Sequence, residues 1–244
     1  MKRRDGFTLI ELITVLAVIG LLATILIPSF TKVLTFSRRA TCMSNLKQLA
    51  SAVLAYKDSN DDVLPPHKME PVPSPQRWWG YDKTNRDAGS PGEGDIWSYV
   101  TKAEVFQCPE LGAIGWEFTS DHVGYGYNAW FLGRYDGTDG EPGDEAGLTP
   151  DKWCKFSYVR NSSELIVFGD SIYRPGLGDR AGSYAMWYPT LGAGVDTARH
   201  GGRGCVVFFD GSAAPFTDEE INPDVAPTSG NRPHIRYWDP RQRL

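Results

Sequence analysis

Residues 7–27 read FTLIELITVLAVIGLLATILI and carry a single charged side chain, Glu11. A helix of this length is about 31 Å long, enough to cross a bilayer core of about 30 Å. Lys2, Arg3 and Arg4 precede it, which favours a cytoplasmic N-terminus. The apolar run is longer than that of a secretory signal peptide, and no A-x-A-like cleavage site follows it. The stretch therefore predicts one membrane-spanning helix.

Glu11 needs an explanation, because a charged side chain inside an apolar span costs up to about 2.5–3.5 kcal/mol. A plain membrane anchor gives no reason for it. The surrounding segment Gly6-Phe7-Thr8-Leu9-Ile10-Glu11 resembles the processing site of type IV prepilins and type II secretion pseudopilins. The resemblance implies that a membrane-embedded prepilin peptidase cuts after Gly6 and that the new N-terminal Phe7 is N-methylated. We expect Glu11 to pair with the Phe7 ammonium of a neighbouring subunit, which sets the axial register of a filament.

The helix is expected to continue beyond the membrane. Gly20 and Pro28 predict an interruption, because Gly weakens a helix and Pro removes a hydrogen bond. In pilins the corresponding stretch can melt during assembly; a passive kink is the alternative. Residues 29–57 then form an amphipathic helix whose apolar face comprises Met43, Leu46, Leu49, Ala50, Val53 and Leu54. The predicted organisation is a leader at 1–6, a transmembrane and filament-core helix at 7–28, and a globular head at 29–244 that includes the second half of the helix.

The rest of the chain predicts a small sheet with long loops. Residues 66–95 are rich in Pro, Gly and Asp and predict a surface loop, and 96–108 predict a short helix. Extended segments are expected at 124–130, 164–168, 205–209 and 212–217, the last two joined by a turn at Asp210-Gly211. Residues 222–244 hold four prolines and predict a tail on the surface. A helix followed by antiparallel strands predicts an α+β, pilin-like fold.

A second set of motifs supports this assignment. His200 is followed by nine residues and then Asp210-Gly211. The set continues with Asn45-Leu46-Lys47-Gln48, Cys108-Pro109, Gly126-Tyr127-Asn128 and Gly169-Asp170-Ser171. Together these motifs resemble a group of bacterial prepilin-like proteins named for an H-x9-DG motif. Ser212-Ala213 stands where the group often has His-Val, so any role of that second histidine is absent.

Two groups of residues offer metal-binding chemistry. We expect His200, Asp210 and Asp170 to form a structural polar network, with a metal site as the alternative. Residues 136–145, DGTDGEPGDE, offer oxygen ligands for Ca²⁺, although a solvated acidic turn is the favoured interpretation and no cofactor is certain. The calcium candidates are Asp136, Asp139, Glu141 and Asp144.

The chain has four cysteines, Cys42, Cys108, Cys154 and Cys205. Four cysteines allow three pairings, and the sequence does not choose among them. With the head outside the cytoplasm, we expect at least one disulfide. Buried free thiols that act as small apolar residues are the alternative.

The composition excludes several functions. A hydrophobic fraction of 41% with 23% charged residues excludes a disordered chain. The net charge of −5 and the lack of a basic stripe argue against a nucleic-acid partner. The sequence contains no G-x-S-x-G, H-E-x-x-H or P-loop motif, so we predict no enzymatic activity.

The predicted function is structural. The chain is expected to polymerise, with itself or with other pilins, into a type IV pilus or a type II secretion pseudopilus. Its precursor would cross the inner membrane once, with the head in the periplasm or outside the cell. The alternative is a membrane-tethered protein that binds a glycan or an envelope partner without forming filaments. The eight tryptophans offer a stacking surface for a glycan, although aromatic side chains also fill the cores of small heads.

Overall fold

The computed structural model describes residues 8–65, 94–100, 102–110, 124–128, 131–132, 155–171, 185–186, 194–222 and 234–238. The chain divides into two compact units, Met1–Ser37 and Arg38–Leu244. Several predicted features lie outside the described residues: the leader with Gly6, Phe7, the four calcium candidates in the acidic loop, Cys154, and six of the eight tryptophans.

The long helix α1 begins at Leu9 and ends at Ser59. It runs through Gly20 and Pro28 without a break, so the predicted interruption is not observed. Proline removes a single backbone N–H, so one i→i−4 hydrogen bond is lost among the many of a 51-residue helix. The hydrogen bonds on either side of Pro28 are sufficient to continue the helix.

In the second unit, α1 buries one face and exposes the other, as its periodicity predicts. The buried residues of this face are Cys42, Asn45, Leu46, Leu49, Ala50, Ala52 and Val53. Asp61 and Asp62 follow the end of the helix with φ values of 51° and 67°. Aspartate tolerates this left-handed conformation better than most residues, and it turns the chain away from the helix.

Within the described residues, five strands form one sheet in the order β3-β1-β2-β4-β5. The strands are β1 (Tyr125–Asn128), β2 (Ile166–Asp170), β3 (Ala185–Met186), β4 (Gly204–Phe208) and β5 (Ala213–Phe216). The pairs β1–β2, β2–β4 and β4–β5 are antiparallel, which confirms the predicted α+β fold. The edge strand β3 was not predicted and lies parallel to β1.

The sheet is covered on both faces. Side chains alternate along β4, so Cys205 and Val207 face the core that includes α1, whereas Val206 and Phe208 face a second core. An irregularity between Ile166 and Phe168 interrupts the pairing of β2 with β4. Beyond it, Phe168 lies on the α1 side of the sheet.

The C-terminal segment helps to build the second core, which corrects the prediction of a surface tail. The described part of this segment contains a short helix α2 (Asp218–Ile221) and a 3₁₀ turn at Ile235–Tyr237. Trp238 is completely buried, and its carbonyl accepts a hydrogen bond from the Asn128 amide at 3.0 Å. The Pro-rich composition concealed this anchor, because a single buried aromatic leaves no periodic signal.

Candidate functional site

The first unit exposes a continuous apolar helix surface. Each large apolar side chain from Leu9 to Phe36 is between 40% and 75% exposed. Within the described residues, α1 is the one helix long and apolar enough to cross a membrane. Soluble proteins rarely leave such a surface in water, so lipid or other protein chains must cover it.

Glu11 closes a capping box at the start of α1. Its carboxylate accepts hydrogen bonds from the backbone N–H and the hydroxyl of Thr8, at 2.8 and 2.7 Å. The backbone N–H of Glu11 lies 3.4 Å from the Thr8 hydroxyl and donates to it. The sequence carried this signal as a T-x-x-E pattern before an apolar run. Glu11 therefore has a hydrogen-bond partner within its own chain, and its pairing with a neighbouring subunit stays a prediction.

The second unit contains a buried group that we call the Cys-Asp-His cluster, formed by Cys42, Cys108, Asp170 and His200. One potential ligand atom from each residue lies within 4.8 Å of the other three. Cys42 comes from α1, Asp170 ends β2, and Cys108 and His200 lie on turns. All four side chains are almost completely shielded from solvent.

Asp170 is the centre of the cluster. Its Oδ1 accepts from the Cys42 thiol at 3.2 Å, and its Oδ2 accepts from the backbone N–H of Cys205 at 2.8 Å. His200 Nε2 lies 3.4 Å from Asp170 Oδ2 and also 3.4 Å from the Cys108 sulfur. Protein hydrogen-bond donors therefore surround this buried carboxylate in place of water.

Arg199 supplies the positive charge beside the cluster. Its guanidinium lies 3.4 Å from Asp170 Oδ1 and 2.8 Å from Asp196 Oδ2. It also donates to the carbonyl oxygens of Gly124, at 2.6 Å, and Ser171. A planar guanidinium suits this site because its fixed donors reach several acceptors at once. No sequence motif or spacing pointed to Arg199.

The turns that carry Cys108 and His200 are held in place. The Asn45 amide and the Tyr125 hydroxyl both donate to the Gln107 carbonyl, at 3.1 and 3.2 Å. These bonds position Cys108, the next residue. His200 has a φ of 49°, a conformation that non-glycine residues seldom adopt. Such backbone strain clusters at functional sites.

The surroundings shift the pKa values of the cluster. Burial raises the pKa of Cys42 well above its usual value. The hydrogen bond with Cys42, helped by His200 and opposed by burial, lowers the pKa of Cys108 to about 6. Burial opposes the charged form of His200, but the contacts with Asp170 and Cys108 raise its pKa to about 10. The arrangement therefore favours a Cys108 thiolate beside a His200 imidazolium.

The structure separates one residue from the predicted polar network. Asp170 and His200 lie together, but Asp210 is an exposed turn residue that accepts from the backbone N–H of Ser212 at 2.8 Å. The reason is strand β4, which runs between His200 and Asp210 and spans about 17 Å at the rise of a β-strand.

The described cysteines Cys42, Cys108 and Cys205 are free and buried. Of the described tryptophans, Trp238 is buried and Trp97 packs against the core.

Comparisons with known proteins concern the N-terminal part of the chain. The model of the prokaryotic N-terminal methylation motif matches residues 1–27. The type IV major pilin protein PilA of Myxococcus xanthus (strain DK1622) is 44% identical over 59 residues. That match covers 24% of this chain and 27% of the relative, so the chain spans about a quarter of the curated protein that it matches. No solved structure matches the chain. By its methylation motif at residues 1–27, its apolar helix and its partial match to a pilin, this chain is similar to type IV prepilins.

Proposed function

We propose that this protein is a filament subunit that is cleaved after Gly6, N-methylated at Phe7 and assembled through its N-terminal helix. The filament is a type IV pilus or a type II secretion pseudopilus, and the similarity to a type IV major pilin favours the first. The observation that carries the proposal is the uncovered apolar surface of α1 between Leu9 and Phe36. In the precursor, the inner membrane covers this surface. In the filament, the helices of other subunits cover it.

The magnitude of this burial is large. Seventeen large apolar side chains lie exposed between Leu9 and Phe36. Full burial of an exposed side chain of this kind is worth about 1.5–3 kcal/mol, and these side chains are between 40% and 75% exposed, so the total is on the order of 15–30 kcal/mol. A surface of this size keeps the subunit in a membrane or a polymer at all times. Assembly exchanges lipid contacts for protein contacts, so the polar groups determine which arrangement forms.

Glu11 is the polar group that selects the arrangement. Its carboxylate lies in an apolar helix, where an unpaired charge is expensive. The hydrogen bonds from Thr8 reduce part of this free-energy cost within one chain. Cleavage after Gly6 places a charged ammonium at Phe7, and a carboxylate of a neighbouring subunit compensates it in the apolar filament core. This ion pair between Glu11 and the Phe7 ammonium forms at only one axial offset between neighbouring subunits.

The two roles of Glu11 are separated by a pair of variants of the full chain, expressed in cells with an active pilus machinery. Thr8→Val removes the hydroxyl of the capping box but keeps the negative charge of Glu11. Glu11→Gln removes the charge but keeps a side chain able to accept the Thr8 hydrogen bonds. We expect Thr8→Val to form filaments in electron micrographs and Glu11→Gln to remain in the membrane.

Cell fractionation and immunoblotting provide the control, because both variants must accumulate in the membrane at the wild-type level. If Glu11→Gln assembles as well as the wild-type chain, the charge-pairing role is refuted. If the processed wild-type chain forms no filament with any pilin of the same cell, the protein is a tethered head and the proposal fails.

A further inference from the structure

Four metal-ligating side chains from four separate parts of the chain converge on one buried point. Cys42 Sγ lies 3.2 Å from Asp170 Oδ1, Cys108 Sγ lies 3.4 Å from His200 Nε2, and His200 Nε2 lies 3.4 Å from Asp170 Oδ2. An ion with tetrahedral bonds of about 2.0–2.3 Å places its ligand atoms about 3.3–3.8 Å apart. The three distances lie at or near the lower end of this range and involve both Asp170 oxygens. With one ligand atom from each residue, all four atoms lie within 4.8 Å of one another, so small side-chain shifts complete a tetrahedron. We propose that the Cys-Asp-His cluster is a structural zinc site with the ligands Cys42, Cys108, Asp170 and His200.

The types of ligand select the metal. Two thiolates favour zinc or another thiophilic ion over Ca²⁺ and Mg²⁺, which prefer oxygen. Four protein ligands complete a tetrahedral shell and leave no open position for substrate, which is typical of structural rather than catalytic zinc. The site is therefore independent of the proposed filament assembly.

Zinc brings the buried charges close to balance. Two thiolates and the Asp170 carboxylate contribute three negative charges, and the ion contributes two positive charges. Arg199 contributes one more at 3.4 Å from Asp170 Oδ1, but it also pairs with Asp196 at 2.8 Å, so a net charge of about −1 remains. Near-neutrality matters because the ligands are buried and an uncompensated charge would be expensive there.

Glu110 supplies an independent observation. Its Oε2 and the Nδ1 of His200 are both buried, and neither makes a hydrogen bond. The two atoms lie 3.8 Å apart, just beyond hydrogen-bond length. A histidine that binds zinc through Nε2 carries its proton on Nδ1 and usually donates it to a carboxylate. Glu110 Oε2 also lies 3.8 Å from the Arg38 guanidinium. A zinc ion at Nε2 thus gives the His200 Nδ1 proton an acceptor and gives Glu110 Oε2 a hydrogen-bond donor.

The site joins elements that are far apart in sequence. It ties helix α1 to the end of β2 and to the turns that precede β1 and β4. Zinc bound only to the folded chain stabilises it, so zinc would fasten the second half of α1 to the head. A disulfide between Cys42 and Cys108 would link fewer elements and would leave Glu110 and the His200 Nδ1 atom unexplained.

The test uses the full chain, purified in detergent under reducing conditions and supplied with zinc alone. After dialysis, elemental analysis is expected to find close to one zinc ion per chain. Cobalt in place of zinc is expected to give the thiolate-to-metal absorption and the intense visible bands of a tetrahedral site. The cobalt spectrum needs no variant, so it remains informative if a variant fails to fold.

Matched variants identify the ligands. Cys108→Ala and His200→Gln should lose the bound zinc, whereas Cys205→Ala, which removes a buried thiol outside the proposed ligand set, should retain it. Glu110→Gln should bind zinc about 10-fold to 100-fold more weakly, as expected for loss of an outer-shell carboxylate.

Three results would overturn the proposal: a wild-type chain that retains no zinc, a cobalt spectrum without thiolate absorption, or a native chain whose mass shows a Cys42–Cys108 disulfide. Equal zinc loss in Cys205→Ala and Cys108→Ala would refute the assigned ligand set.

Discussion

Replacement of Arg199 tests whether the buried charge network holds the head together. Arg199, Asp170 and Asp196 are each at most 5% exposed, and the two carboxylates lie 3.4 and 2.8 Å from the guanidinium. Arg199→Met keeps a similar apolar volume but removes the guanidinium from both carboxylates. It also removes the hydrogen bonds that Arg199 donates to the carbonyls of Gly124 and Ser171.

The expected loss of stability is large. Removal of one partner from a buried ion pair typically costs about 3–5 kcal/mol, because the remaining charge stays buried. A domain has about 5–15 kcal/mol of total stability. For a chain of this size, each kcal/mol corresponds to about 2–4 °C of melting temperature, so we expect a decrease of about 6–20 °C.

The assay is thermal unfolding of the full chain in detergent, followed by tryptophan fluorescence with a chelator present so that bound metal does not contribute. Arg203→Met is the matched control, because Arg203 pairs with Glu220 at 3.8 Å on the exposed surface. Exposed pairs of this kind often contribute nothing measurable. If Arg199→Met melts at the same temperature as Arg203→Met, the buried network does not stabilise the head as argued.

Three further predictions concern local structure. A Cβ at Gly204 would lie 2.8 Å from the Asp196 carbonyl oxygen, which is too close. Gly204→Ala should therefore lower the free energy of unfolding in urea by about 1–3 kcal/mol. An unchanged unfolding midpoint would contradict this steric argument. Asn45→Ala removes hydrogen bonds to two backbone carbonyls, at 3.1 and 3.3 Å, and should lower the free energy of unfolding by about 1–3 kcal/mol. Gln48→Ala, on the exposed face of α1, should leave the free energy of unfolding unchanged. Hydrogen bonds from the backbone N–H and the hydroxyl of Thr217 lower the pKa of Glu220 below its usual 4.5. Ionised Glu220 therefore stabilises the fold above pH 4.5, and this contribution is lost as the pH falls through the lower folded-state pKa. Glu220→Gln should therefore melt below wild type near neutral pH, and this difference should vanish in acid; a difference independent of pH would contradict the shift.

Local pattern was sufficient to predict α1 and four of the strands. The apolar run of residues 7–27 and the face containing Leu46, Leu49 and Val53 repeat with the period of a helix. The segment Cys205–Phe209 with its Asp-Gly turn predicts a hairpin, and the structure places β4 and β5 there, joined at Asp210-Gly211. Strand β3 escaped prediction because two residues carry no periodicity and its partner β1 is distant in sequence.

The Cys-Asp-His cluster was predictable only in part. The sequence singled out His200 and Asp170 by their motifs, and it singled out Cys42 and Cys108 by residue type. Their convergence depends on how α1, the sheet and two turns pack together, which no local pattern encodes. We expected His200, Asp170 and Asp210 to share one polar network, but strand β4 lies between His200 and Asp210 and carries Asp210 away from the cluster.

The most direct test of the proposed function is the mass and N-terminal sequence of the chain isolated from cells with an active prepilin peptidase. The proposal predicts a chain that begins with N-methyl-Phe7 and lacks residues 1–6. A chain that still begins at Met1 would contradict processing and leave a membrane-anchored head. A chain cut beyond Ile27 would lack the helix surface on which assembly depends, and the filament proposal would be refuted.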